Sequence, residues 1–118
     1  MERNPRLQER RNWVRFNKMH PVTYIRFDEK GNPCDQKPSR SMNMSQGGVK
    51  LQSSFPVQQE EVLDLTMALE DELITFRGKV IYVIRSEEQG FEFGVAITEI
   101  DDQDQKILSR YFQKIRTH

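Results

Sequence analysis

Hydrophobic and polar positions alternate with period two over most of this chain, which is the signature of half-buried strands. Residues 21–27 (PVTYIRF) are β-branched and aromatic, with Val22, Tyr24 and Arg26 on one face and Thr23, Ile25 and Phe27 on the other. Asp28 to Pro33 reads as a turn, because Gly31 permits positive φ and Pro33 cannot continue a ladder. Residues 36–43 are polar and read as an edge strand. Gly47-Gly48 precedes a short alternation in which Val49 and Leu51 share a face. Leu63, Leu65, Met67 and Leu69 then alternate against Val62, Asp64, Thr66 and Ala68. After a turn at Glu70-Asp71, residues 72–84 return as a long strand: Ile74 and Phe76 lead to Gly78, and Val80, Tyr82 and Ile84 continue the period. A glycine in mid-strand reads as a bulge or barrel bend where backbones approach closely. Phe91, Phe93, Val95 and Ile97 form the inward face of the last strand, with Gly94 interrupting the other face.

Residues 101–116 change period. Ile107, Leu108, Tyr111, Phe112 and Ile115 make one apolar stripe, aspartates occupy the start, and Lys106, Arg110, Lys114 and Arg116 populate the later turns. The pattern predicts an amphipathic helix with a capping Asp101 or Asp102 and charges that complement its dipole. Five or six antiparallel strands and one terminal helix imply an all-β barrel or strongly curved sheet with a helical lid. Strand count leaves OB-like and SH3-like barrels both open.

With 118 residues the chain is the size of one domain. No apolar run approaches the length of a membrane span, and the first twenty residues lack the apolar core of a secretory signal. A single cysteine, Cys34, excludes an internal disulfide framework and fits a reducing compartment, so the expected location is the cytoplasm. Eighteen basic residues balance eighteen acidic ones, yet residues 1–16 hold five arginines against two glutamates, a net of +3. This points to one local anion site, or to a solvated basic tail, rather than to a surface that coats a nucleic-acid polymer.

The residues give little material for catalysis. Of two histidines, His118 is terminal and His20 precedes a proline at a strand start; no paired Cys or His spacing suggests zinc. Asp101, Asp102 and Asp104 lack the glycine and distal glutamate of a calcium loop and suit a helix start better. The expectation is a protein that is not an enzyme and has no cofactor.

Two constellations remain. One is Arg10-Arg11-Asn12-Trp13-Val14-Arg15-Phe16, in which Arg11 and Arg15 are four positions apart; the other is Asn43-Met44-Ser45-Gln46-Gly47-Gly48, just before a strand. Either alone is unremarkable, but in this order, flanking the first hairpin, they are specific. The pair resembles the signature of the PilZ domain family, RxxxR followed by (D/N)xSxxG. The resemblance extends over about residues 7–116, including GKVIYV at 78–83, FGVAI at 93–97 and the closing helix.

The resemblance implies a six-stranded antiparallel β-barrel with a C-terminal amphipathic helix that binds the bacterial second messenger cyclic di-GMP. Carried over by motif, Arg11 and Arg15 take the RxxxR positions, Arg10 is the residue before them, and Asn43, Ser45 and Gly48 fill the second motif. Gly47, Tyr82 and Gly94 are secondary candidates; Tyr82 stands where many members carry Trp. In this family the residue before RxxxR is linked to binding one ligand or a stacked pair, and arginine there permits the stacked pair; a ligand-dependent dimer of the chain is a separate expectation. The implied organisation is a tail at 1–9 and a PilZ domain at 10–118, with a switch segment at 10–16, a barrel at about 20–100 and a helix at about 101–116.

The residue types suit that ligand. Arginine's planar fork binds a phosphate in bidentate fashion and matches guanine O6 and N7, and its flat face stacks on a base. Charge-assisted hydrogen bonds contribute about 1.5–3 kcal/mol each, so two or three arginines supply much of a micromolar affinity, about −8 kcal/mol. Asn43 and Ser45 offer short polar groups for a base edge or ribose. The expected mechanism is that residues 1–15 are mobile without ligand and close over it, changing a surface that an unidentified downstream protein reads. Trp13 and Phe16 serve as hydrophobic anchors of the tail or as stacking partners. Two other functions remain: a PilZ-like protein-interaction module that binds no nucleotide, and an OB-like binder of single-stranded nucleic acid, which predicts a basic groove lined with aromatics.

Overall fold

The structure, a computed structural model, describes residues 19–45, 47–88 and 90–116. Six strands precede one helix: β1 (Pro21–Phe27), β2 (Pro33–Ser45), β3 (Gly48–Ser53), β4 (Val62–Leu69), β5 (Glu72–Ser86), β6 (Gly90–Glu99) and α1 (Asp102–Arg116). They close into a barrel in the order β1-β2-β3-β6-β5-β4, with β4 pairing back onto β1 and every pairing antiparallel. The alternation in β4 works as expected: Leu63, Leu65, Met67 and Leu69 are buried, and the residues between them are not. Tyr24, Leu51, Val80, Phe93 and Val95 are among the other residues that fill the interior.

Two strands depart from the sequence reading. β2 is not an edge strand; its 13 residues lie between β1 and β3. It reads as polar because most of its side chains face outward, and closure of the barrel supplies both neighbours. In β5, Tyr82 and Ile84 do not continue the inward face of Val80. The register against β6 shifts between Val80 and Tyr82, so that Val83, opposite Phe93, packs inward while Ile84 is exposed. Backbone bonds of Val80 with Glu60 and Glu61 (2.7 and 2.8 Å), and a bond from the Gln59 side-chain Nε2 to the Ile81 carbonyl (3.2 Å), hold the strand at that irregularity. The expected close approach at Gly78 is present: the register shifts there, and a Cβ would lie 2.9 Å from the Ala96 carbonyl oxygen.

Helix α1 closes one end of the barrel with Leu108, Tyr111 and Phe112 buried. Asp101 caps it, its Oδ1 accepting from the Asp104 N–H at 2.8 Å, which satisfies one of the orphan donors of the first turn. Asp104 in turn accepts from the Thr75 N–H and hydroxyl, tying the helix start to β5. His20, buried at the entry to β1, meets the Tyr111 hydroxyl at 2.7 Å, and its backbone exchanges bonds with Ser41 (3.0 and 2.9 Å). The chain is therefore pinned to both β2 and the helix at the residue that enters the barrel.

Burial pushes the phenols of Tyr24 and Tyr111 above their ordinary range near 10. A raised phenol releases its proton later in the folded chain than in the unfolded one. The stability it contributes is complete below about pH 10 and is lost as pH rises through the folded value. Urea midpoints are expected to fall on passing from about pH 9 to pH 11, and Tyr24→Phe is expected to flatten that fall. A fall as steep in Tyr24→Phe as in the parent chain would assign it to other groups.

Candidate functional site

Two irregularities in the ladder set the outward face of the barrel between β2 and β5. In plain alternation Asn43 and Ser45 would share the side of Ser41, which is buried. The β2–β3 register instead shifts between Ser41 and Asn43, turning Met44 inward and Asn43 and Ser45 outward. The irregularity in β5 does the same for Tyr82. Bulges of this kind re-aim side chains without disturbing the rest of a sheet.

The pairings then place Asn43 (β2), Lys50 (β3), Gly94 (β6) and Tyr82 (β5) in one transverse row, with Ser45, Gly48, Ala96 and Lys79 in the row beside it. Together with Gly47 and the exposed Ile81, all of these but Lys79 line an open hollow of about 370 Å³. Asn43, Ser45, Gly47, Gly48, Tyr82 and Gly94, all singled out in the sequence, thus meet at one place. Arg10, Arg11 and Arg15, with Trp13, Phe16 and the 10–16 segment, lie outside the described residues.

The glycines of the hollow do different things. A Cβ on Gly48 would sit 2.7 Å from the Val95 carbonyl oxygen, so this glycine is required by the close approach of β3 to β6. Gly47 has open space where a Cβ would be; its carbonyl accepts from the Ile97 N–H (3.0 Å) and its N–H reaches the Ser45 hydroxyl (3.4 Å). At Gly94 a Cβ would collide with the Tyr82 ring, whose Cδ2 and Cζ would lie 2.8 Å away. The ring therefore lies down across Gly94 instead of standing off the sheet, forming an aromatic wall to the hollow.

Lys50 is a member of the row that the sequence reading passed over. It stands opposite both Asn43 and Gly94, and its ammonium lies 3.7 Å from Glu92 Oε1. Its place in an alternating strand next to the second motif was the available signal. The hollow thus combines an amide, a hydroxyl, a cation and an aromatic face, a set suited to holding a polar, flat-ringed anion. Among the described residues no group of three or more His, Cys, Asp or Glu side chains could hold a metal ion, and no helix is long and apolar enough to cross a membrane.

The residues of the second motif, a lysine and an aromatic ring thus share one outward hollow of a closed barrel. The chain belongs to the PilZ domain family, whose model matches residues 9–114. PilZ domains are receptor and adaptor modules, not catalysts. No curated protein matches the chain in sequence. Among solved structures it is similar to the Bacillus subtilis inhibitor of motility MotI/DgrA, with TM-score 0.70 and 19% identity over 86% of this chain and 48% of that one. It is also similar to MrkH of K. pneumonia, with TM-score 0.65 and 16% identity over 99% of this chain and 51% of that one. A third likeness is to the PilZ domain of CeSA from a cellulose-synthesizing bacterium, with TM-score 0.62 and 14% identity over 85% of this chain and 95% of that one. The chain spans about half the length of the first two. At these identities the likeness is one of fold.

Proposed function

We propose that this chain is a bacterial, cytoplasmic receptor for cyclic di-GMP, with residues 10–118 as the PilZ domain and 1–9 as a tail. The observation that carries the reading is the meeting of Asn43, Ser45 and Gly48 with Tyr82 and Gly94 in one outward hollow, on a family member that retains RxxxR before its first strand. Arg11 and Arg15, with Arg10 beside them, neutralise the phosphates and grip guanine edges. Asn43 and Ser45 take a base edge or ribose, and Tyr82 offers its ring to a guanine. That set of side chains suits holding a ligand, so we read the ligand as a signal and not a substrate. Binding orders the 10–16 segment against the barrel, and the altered surface is read by a downstream protein or by a second copy of the chain.

Calorimetry with cyclic di-GMP, GMP and single-stranded DNA tests this. Binding is expected for cyclic di-GMP alone, and saturating ligand is expected to raise the melting temperature by mass action. Binding of none of the three would leave a protein-interaction module, and preference for the DNA would favour the single-strand reading.

A further inference from the structure

We propose that Lys50 is a further ligand-binding cation, paired with Glu92 and transferred to a ligand phosphate on binding. This rests on the cyclic di-GMP reading above and adds to it a residue outside both motifs, together with a competitor for that residue.

Three observations carry it. Lys50 occupies the transverse row between Asn43 and Gly94, so its stem rises from the floor of the hollow and not from the rim. Its ammonium is 3.7 Å from Glu92 Oε1, beyond the ~2.7–2.9 Å of a charge-assisted hydrogen bond. Lys79, in the neighbouring row, offers the contrast: its ammonium is 2.9 Å from Glu60 and is already engaged at bonding distance. The Lys50 and Glu92 side chains are 33% and 21% exposed, so both are partly withdrawn from water. A loosely held, half-desolvated cation gains most from an anion that can approach to full bonding distance.

Glu92 can reach Lys50 because it lies on the same outward face, paired with Gln52, two positions along each strand from the Lys50–Gly94 pair. It keeps the ammonium from standing unpaired. A dianionic ligand competes with it, because a phosphate oxygen brought over the row can approach the ammonium to full bonding distance. Glu92 therefore opposes binding through Lys50, and the pair sets the affinity threshold of the site.

The test is a double-mutant cycle by calorimetry with cyclic di-GMP on the full chain, using Lys50→Met, Glu92→Gln and the double variant. Both substitutions keep the side-chain stem and sit on an outward strand face. Lys50→Met is expected to weaken binding at least about ten-fold, from the loss of one charge-assisted bond. Glu92→Gln is expected to tighten it about two- to five-fold in the parent chain, a surface-pair magnitude, and to change nothing when added to Lys50→Met. Tightening of equal size in both backgrounds would mean that Glu92 repels the ligand directly, and would overturn the exchange. So would unchanged affinity in Lys50→Met. No binding by the parent chain would instead refute the cyclic di-GMP reading, and the exchange with it.

Discussion

Arg11→Ala and Arg15→Ala are each expected to weaken cyclic di-GMP binding at least ten-fold, with melting temperatures in the absence of ligand close to that of the parent chain. Each truncation removes a guanidinium fork that can make two charge-assisted bonds to a phosphate or to guanine O6 and N7. One such bond contributes about 1.5–3 kcal/mol, and about 1.4 kcal/mol corresponds to a factor of ten. Lysine at either position is expected to recover only part of the loss, because a point charge cannot reproduce the planar fork. Isothermal titration of the parent chain, the alanine pair and the lysine pair reads all of this. Equal affinity in both alanine variants would show that the arginines do not hold the ligand.

Phe93→Ala is expected to cost about 3–5 kcal/mol of folding stability, the range for removing a buried aromatic ring, out of a total of about 5–15 kcal/mol for a domain of this kind. Phe93 is fully buried, pairs with Leu51 on β3 and Val83 on β5, and meets the Tyr24 ring edge-on at 5.6 Å between centroids. Its removal opens a void where β3, β5 and β6 meet, and closure of the barrel prevents those strands from collapsing into it. Because Gly94 follows it directly, the Tyr82 ring outside depends on the packing of Phe93 inside. Urea denaturation measures the effect as a lowered midpoint. A loss under about 1 kcal/mol would mean that the site relaxes around the missing ring.

Much of this architecture could be read from the chain because one face of most strands must be apolar. The regular spacing of Leu63, Leu65, Met67 and Leu69 in β4 and the stripe of Leu108, Tyr111 and Phe112 in α1 state their buried faces directly. β2 could not be read this way. Its outward side chains are polar, and its central position follows from closure, a property of the whole sheet that no local window contains. The direction of Tyr82 was hidden for a related reason. Period-two reasoning carries Val80 inward through Tyr82 to Ile84, and only the pairing register reveals the extra residue that reverses the face.

The same holds for the hollow. Its residue types were legible, since Asn43, Ser45 and Gly48 form a recognisable string. Their outward direction depends on the irregularity between Ser41 and Asn43, which leaves no compositional mark. Gly48 completes that string, and the Val95 carbonyl against it gives it a role between strands that the string does not state. Lys50 was read past because a charged residue in an alternating strand looks like ordinary solvated surface, and only the row across β2, β3, β6 and β5 gives it neighbours that matter.

Pairing of β4 onto β1 has one more consequence. A sheet with a free margin can recruit a partner by letting a foreign strand dock along its unpaired amides, and the same margin invites uncontrolled stacking of copies. Here each strand already has a neighbour on both sides. Where the described strands are paired on both sides, recognition of the barrel by another molecule rests on side chains, on the outer wall or on the helix.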